Sequence, residues 1–317
     1  MSLIAPTPLL QLKGVNNFRN LYVKDESVHP NGTFKDRLSW KAAQRYPKDC
    51  VFGVISYGNT AISLTRLIKD GNTSNEVVVF VPKGFETWTF GPSSLGSTIG
   101  ANDILKELET YANVIPIEFN AGLLTDNDLI DLATEHNLNT KNFVNITEGI
   151  DIPAYVDIII EVVEQLGKVP DVCIVPYGAG ILCNELKDYL GQFGSGLVIP
   201  VAVASPNSMA RMLFGPIWLD VNQLKLGGVA FSRHNTPDRT GAVRTPYPVF
   251  RVEEEEILNG LQIAEKFGIS AEPSGAAGFG ILQRLCQIDP SIDPENDLIV
   301  VINTGNGIDG FLRGNNK

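Results

Sequence analysis

Three segments of the chain place glycines and small polar residues directly after an apolar, β-branched run. Tyr177-Gly178-Ala179-Gly180-Ile181-Leu182 follows Val172–Pro176 and opens a helical pattern. A strand, a glycine turn and a helix N-terminus together make an anion site, because amide N–H groups converge and the helix dipole favours negative charge. A plain βα turn has the same composition, so this segment alone fits a phosphate site and an ordinary turn about equally. Ser56-Tyr57-Gly58-Asn59-Thr60 follows the run Val51–Ser56 and precedes the helical pattern Thr60–Lys69. Its side chains and exposed amides suit a carboxylate; capping of the helix by Ser56, Asn59 or Thr60 is the plainer alternative. Gly305-Asn306-Gly307-Ile308-Asp309-Gly310 matches the dinucleotide fingerprint GxGxxG after Leu298–Asn303. That fingerprint needs a crossover helix and an acidic residue about 20 positions further on, and the sequence here ends at Lys317, so the match is set aside. Three glycine turns after three strands point to one cleft.

Other chemistries find little material. GxxxxGK[ST], HExxH and GxSxG are all absent from the sequence, which removes the usual signals for a P-loop, a zinc protease or a serine hydrolase. Of the three histidines, His136 falls near the end of a helical pattern, while His29 and His234 fall in loops where surface placement is expected. Cys50, Cys173, Cys183 and Cys286 are widely spaced with no CxxC pair, and read as free thiols rather than disulfides or metal ligands.

The elements that must position these turns alternate along the chain. Val51–Ser56, Glu76–Pro82, Val114–Phe119, Val172–Pro176, Val198–Ala204 and Leu298–Asn303 read as buried strands, several of them unbroken apolar runs of parallel-sheet type. Between them lie helical patterns at Phe34–Tyr46, Thr60–Lys69, Ile104–Tyr111, Asn127–His136, Ala154–Leu166, Ile181–Leu190, Glu254–Phe267 and Gly275–Cys286. Such alternation predicts an α/β fold with helices on both faces of mostly parallel sheets. A boundary near 140–150 divides it into two lobes: residues 35–140 as the smaller, and residues 1–34 plus 141–317 as the larger. The stretch Gly84–Ala101, rich in Gly, Pro, Ser and Thr, reads as a loop.

Hydrophobic residues make up 44% of the 317 residues and charged residues 19%, enough for a packed core and against disorder. The net charge of −11 argues against nonspecific nucleic-acid binding, which needs clustered cations. No apolar run reaches membrane-spanning length, and MSLIAPTPLLQL lacks the basic region and apolar stretch of a signal peptide. A soluble protein in the reducing cytoplasm is expected.

Tyr22-Val23-Lys24-Asp25-Glu26-Ser27, followed by His29-Pro30-Asn31-Gly32-Thr33-Phe34-Lys35-Asp36-Arg37, resembles the cofactor-lysine segment of the fold-type-II enzymes that use pyridoxal 5′-phosphate (PLP). Thr7-Pro8-Leu9 resembles the entry motif of the same superfamily. The turn Ser56–Asn59, the glycine loop Gly178–Leu182, Glu272-Pro273-Ser274-Gly275-Ala276 and Thr304-Gly305-Asn306-Gly307 follow in the family's order, so the resemblance runs from Thr7 to Gly310. It implies a tryptophan synthase β-like fold with PLP between two lobes and a small amino acid as substrate; a homodimer is left open. Lys35 would form the Schiff base and act as the base at Cα, with its pKa lowered by imine formation or a desolvated site. The amides of Gly178, Ala179, Gly180, Ile181 and Leu182 would hold the cofactor phosphate, and Asn59 would donate to the 3′-oxygen. Ser56, Tyr57, Gly58, Asn59 and Thr60 would bind the substrate carboxylate, and Thr304 would face the pyridine nitrogen.

YVKDES and FKDR are most similar to threonine synthases, which implies γ-elimination of phosphate from O-phosphohomoserine and then addition of water at Cβ. Such a dianionic substrate calls for local cations: Arg233 first, with Arg239, Arg244 and Lys83 as weaker candidates, each by default a surface residue. Serine/threonine dehydratases and cysteine synthases are the alternatives within the superfamily. A non-catalytic PLP-binding or nucleotide-binding module is the alternative outside it.

Overall fold

The computed structural model describes residues 4–56, 58–71, 73–87, 89–90, 99–118, 124–147, 152–178, 180–203, 208–210 and 249–306. It is an α/β fold built on two sheets. Strands β1 (Leu9–Gln11) and β2 (Asn20–Asp25) lead into helix α1 (Lys35–Arg45), β3 (Val51–Ile55), α2 (Asn59–Asp70) and β4 (Glu76–Pro82). A short pair, β5 (Thr89–Phe90) and β6 (Ile99–Gly100), then precedes α3 (Ala101–Tyr111), β7 (Asn113–Ile117), α4 (Asp126–Glu135) and β8 (Phe143–Asn145). The second half runs through α5 (Val156–Leu166), β9 (Val172–Pro176), α6 (Ile181–Gly191) and β10 (Leu197–Val203). After residues 204–249 come β11 (Phe250–Val252), α7 (Glu254–Lys266), α8 (Pro273–Gly280), α9 (Leu285–Ile288) and β12 (Leu298–Asn303).

One sheet has the order β7-β4-β3-β8 and is parallel throughout. The other has the order β1-β2-β12-β9-β10-β11, parallel except at its β1–β2 edge. Central strands are buried along their whole length, as expected of strands covered on both faces: β9 and β12 have no exposed residue. The six expected strands all appear, displaced at their ends by no more than a residue or two. The expected helix Gly275–Cys286 instead starts at Pro273, where proline suits the first helical turn, and gives way to a 3₁₀ turn at Ile281–Arg284.

An apolar core shared by the two sheets positions the cleft. Phe52 and Val54 of β3, Val175 of β9 and Ile302 of β12 belong to one buried cluster with Leu38 of α1 and Leu186 of α6. The free thiols of Cys173 and Cys183 are buried in the same cluster, as expected.

The end of β12 is tied to the turn before α1. Thr33 and Gly305 form an isolated antiparallel bridge, Phe34 N donates to the Thr304 carbonyl at 3.0 Å, and Asn306 N donates to the Gly32 carbonyl at 3.0 Å. Gly305 has φ +145°, and a Cβ there would lie 2.3 Å from the Gly32 carbonyl oxygen. Gly305→Ala should therefore cost about 1–3 kcal/mol from overpacking alone, read as a lower urea midpoint with an unchanged slope; an unchanged midpoint would mean that the bridge yields freely.

Candidate active site

Lys35 is the first residue of α1, and the turn before it is built from its own side chains. The Asp36 carboxylate accepts from Asn31 N at 2.8 Å and Asn31 Nδ2 at 3.0 Å, and Thr33 Oγ1 accepts from Lys35 N at 3.3 Å. Ser63 Oγ donates to Ser39 Oγ at 2.8 Å, which joins α1 to α2 behind the turn.

The YVKDES segment proves to be a charge lattice. Arg37 reaches Glu26 through Nε at 2.6 Å and Nη2 at 2.9 Å, and Glu161 of α5 through Nη1 at 2.6 Å and Nη2 at 2.9 Å. Lys24 Nζ lies 2.6 Å from Glu161, and Thr7 Oγ1 donates to Glu26 at 2.6 Å. Two cations face two carboxylates, and the guanidinium's planar fork matches both. His29 corrects the sequence reading: it is buried, with Nε2 2.9 Å from Glu26, because the lattice draws the loop inward. This lattice ties β2, α1 and α5 together around Arg37, two residues after Lys35.

Lys35 itself has no carboxylate at hydrogen-bond distance among these contacts. Its ammonium lies over the Phe34 ring at 4.6 Å and the Tyr155 ring at 5.2 Å from the centroids. The two rings are 4.7 Å apart. The residue is half-buried. Poor solvation lowers its pKa to about 8, while Glu185 opposes the shift. Glu185, in the second turn of α6, is engaged with the start of α5: its carboxylate accepts from Tyr155 N and Val156 N, each at 2.7 Å.

The other expected residues sit at the C-terminal ends of the strands. Gly180 is the N-cap of α6 with a left-handed backbone (φ +86°) and no side-chain cap, so the first amides of the helix, from Ile181 and Leu182, meet the turn without one. Gly178 is half-buried beside it. Val301 of β12 pairs with Ile174 of β9, and Thr304, buried, follows the end of β12. Asn59 opens α2 and does not cap it. The cap is Gly58, and Ser56 Oγ accepts from Gly58 N at 3.4 Å and Ala61 N at 3.3 Å. Asn59 Nδ2 instead donates to Glu272 Oε1 at 2.9 Å, and Glu272 N donates to the Gly305 carbonyl at 3.0 Å. Thus the Lys35 turn, Thr304, Gly305, Glu272 and Asn59 form one connected set. Thr60 is half-buried at the same helix start. Tyr57, Ala179, Arg233, Arg239 and Arg244 lie outside the described residues. Lys83 is exposed and pairs with Glu118 at 2.8 Å.

The family model described as pyridoxal-phosphate dependent enzyme matches residues 1–305. The chain belongs to this family. A curated threonine synthase from Halalkalibacterium halodurans is 24% identical over 95% of this chain and 82% of its own length. One from Methanocaldococcus jannaschii is 23% identical over 95% and 74%. Among solved structures, the L-serine ammonia-lyase from Rhizomucor miehei superposes with TM-score 0.62 at 19% identity, over 99% of this chain and 98% of that one.

The protein is thus a PLP-dependent lyase of the fold-type-II class. Two features suit the cofactor: Lys35, of lowered pKa, opens α1, and the start of α6 after β9 carries no side-chain cap. One consequence is measurable on the apoprotein. Because only the neutral amine attacks an aldehyde, PLP attachment at Lys35 should accelerate as pH rises through about 8 and then level off. A rate still climbing toward the ordinary lysine range, near about 10.4, would show that Lys35 is fully solvated.

Proposed function

We propose that this enzyme is a threonine synthase, converting O-phosphohomoserine and water into threonine and inorganic phosphate. The observation that carries the reading is the likeness to threonine synthases across nearly the whole chain. When bound, PLP supplies an electron sink for negative charge at the substrate's Cα. The amides of Gly178, Ala179, Gly180, Ile181 and Leu182 would hold its phosphate, and Thr304, a neutral hydroxyl, would serve its ring nitrogen. Lys35 carries the proton taken from Cα; an amine of pKa about 8 is partly neutral near neutrality and can both accept and return it. The amides of Ser56, Tyr57, Gly58, Asn59 and Thr60 grip the substrate carboxylate from the start of α2, the Asn59 side chain would donate to the cofactor's 3′-oxygen, and Arg233 meets the leaving phosphate.

Residues 35–140 act as the smaller lobe and residues 1–34 with 141–317 as the larger, except that β8 (Phe143–Asn145) pairs with β3 and so joins the smaller lobe's sheet. Closing the Asn59 turn on the carboxylate brings the smaller lobe toward the larger one and excludes water from the substrate's Cα. The deciding assay compares two substrates on one preparation. Phosphate released from O-phosphohomoserine with threonine appearing in equal amount is the expected result. Ketoacid formed from threonine or serine, with no phosphate release, would overturn the assignment in favour of a dehydratase.

A further inference from the structure

Glu272 is the residue whose contacts reach furthest beyond the roles assigned above. It precedes α8 on the large sheet, half-buried, with its N–H on the Gly305 carbonyl. Its carboxylate accepts from Asn59 Nδ2 at 2.9 Å, across 213 residues of sequence and from one lobe's helix to the other's. An ionised carboxylate has acceptors only, whereas a carboxamide offers two N–H donors on one side and an acceptor on the other. An asparagine lying against a carboxylate must therefore turn its NH₂ group toward it. That interaction removes the half-turn freedom an amide otherwise keeps. It uses one N–H of Nδ2 and leaves the second with a fixed direction.

We infer that Glu272 is a positioning residue, which holds the Asn59 carboxamide so that its second N–H is presented to the 3′-oxygen of bound PLP. This rests on the cofactor reading proposed above. A donor there favours the form of the cofactor with negative charge on that oxygen, so the colour of the holoenzyme reports whether the amide is correctly turned. Glutamine at position 272 could accept from Asn59 or donate to it, and would permit both orientations; alanine would impose neither.

The test uses holoenzyme carrying Glu272→Gln, Glu272→Ala, Asn59→Ala and the Asn59→Ala/Glu272→Ala pair, with absorption spectra, turnover and melting temperature measured on each. Glu272→Ala should shift the cofactor's visible absorption in the same direction as Asn59→Ala. It should also lower kcat on the order of ten- to a hundredfold, the loss expected when a reacting contact is misplaced by about an ångström. Glu272→Gln should fall between. In the double variant the spectrum and kcat should match Asn59→Ala alone, because the carboxylate acts through the amide. Unchanged absorption in Glu272→Ala, or an effect that adds in full to that of Asn59→Ala, would overturn the inference. A lower melting temperature with unchanged absorption would make the pair a structural clasp and overturn it equally. If the unsubstituted protein takes up no PLP at Lys35, it is the cofactor reading that fails.

Discussion

Lys35→Ala should remove turnover almost entirely while leaving the protein folded. The side chain is half-exposed and makes no ion pair with the lattice around Arg37, so its removal deletes two cation–π contacts and little packing. Contacts of that kind are worth from about 0.5–1 kcal/mol each when exposed to about 2 kcal/mol when poorly solvated. The catalytic loss is of a different size. A positioned base alone contributes roughly a hundred- to ten-thousandfold, and here the same amine is also the cofactor's attachment point. Single-turnover rates at saturating PLP, with circular dichroism on the same sample, separate the two effects. A folded variant that retains a tenth or more of the rate would remove Lys35 from the chemistry. Added methylamine offers a second control, since a small amine entering the cleft restores proton transfer without restoring the tether.

Glu26→Gln should instead cost stability. Burial pushes the Glu26 carboxyl up, but hydrogen bonds and charge from His29 and Arg37 outweigh it and hold the pKa at about 2, against 4.5 for a free carboxyl. A group depressed in the folded state stabilises the fold above its unfolded pKa, and that stability disappears as pH falls toward the folded value. The window here runs from about pH 4.5 down to about 2, and a difference of this size corresponds to about 3 kcal/mol. Replacing Glu26 also leaves Arg37 short of one of its two carboxylates in a dry site, where breaking a buried pair costs about 3–5 kcal/mol. The expected result is a Tm lower by roughly 5–10 °C near neutrality, with the gap to the unsubstituted protein narrowing in acid. A constant gap between pH 7 and pH 3 would mean that the lattice does not titrate through Glu26.

What could be read from the sequence divides along a physical line. The strands Glu76–Pro82, Val172–Pro176 and Leu298–Asn303 match the structure to the residue, because a strand buried on both faces must be apolar throughout and announces itself locally. Strand β2 carries the same topological weight, pairing with β12 along six residues, yet its sequence NLYVKD shows no such run. Lys24 is fully buried there only because Glu161, 137 residues away, meets its ammonium. His29 was expected at the surface for the same reason: nothing within its loop tells that Glu26 and Arg37 lie inside.

The site follows the same division. Glycines after strands marked the turns at Gly180 and Gly305, since a backbone requirement is written in the residue type itself. Lys35 was visible only through its resemblance to a family motif. The pairing of Asn59 with Glu272 was visible in neither way, because it joins two segments that fold from different lobes. The EPSGA motif marked Glu272 as noteworthy; no local signal told which side chain it would meet.

The central claim is that PLP is bound covalently at Lys35, and one measurement tests it without any choice of substrate. The protein saturated with PLP is reduced with borohydride, digested and mapped by mass spectrometry. The visible band should disappear and a single stable adduct should appear on the peptide containing Lys35. An adduct centred on another lysine, or none at all in a protein shown to be folded, would contradict it.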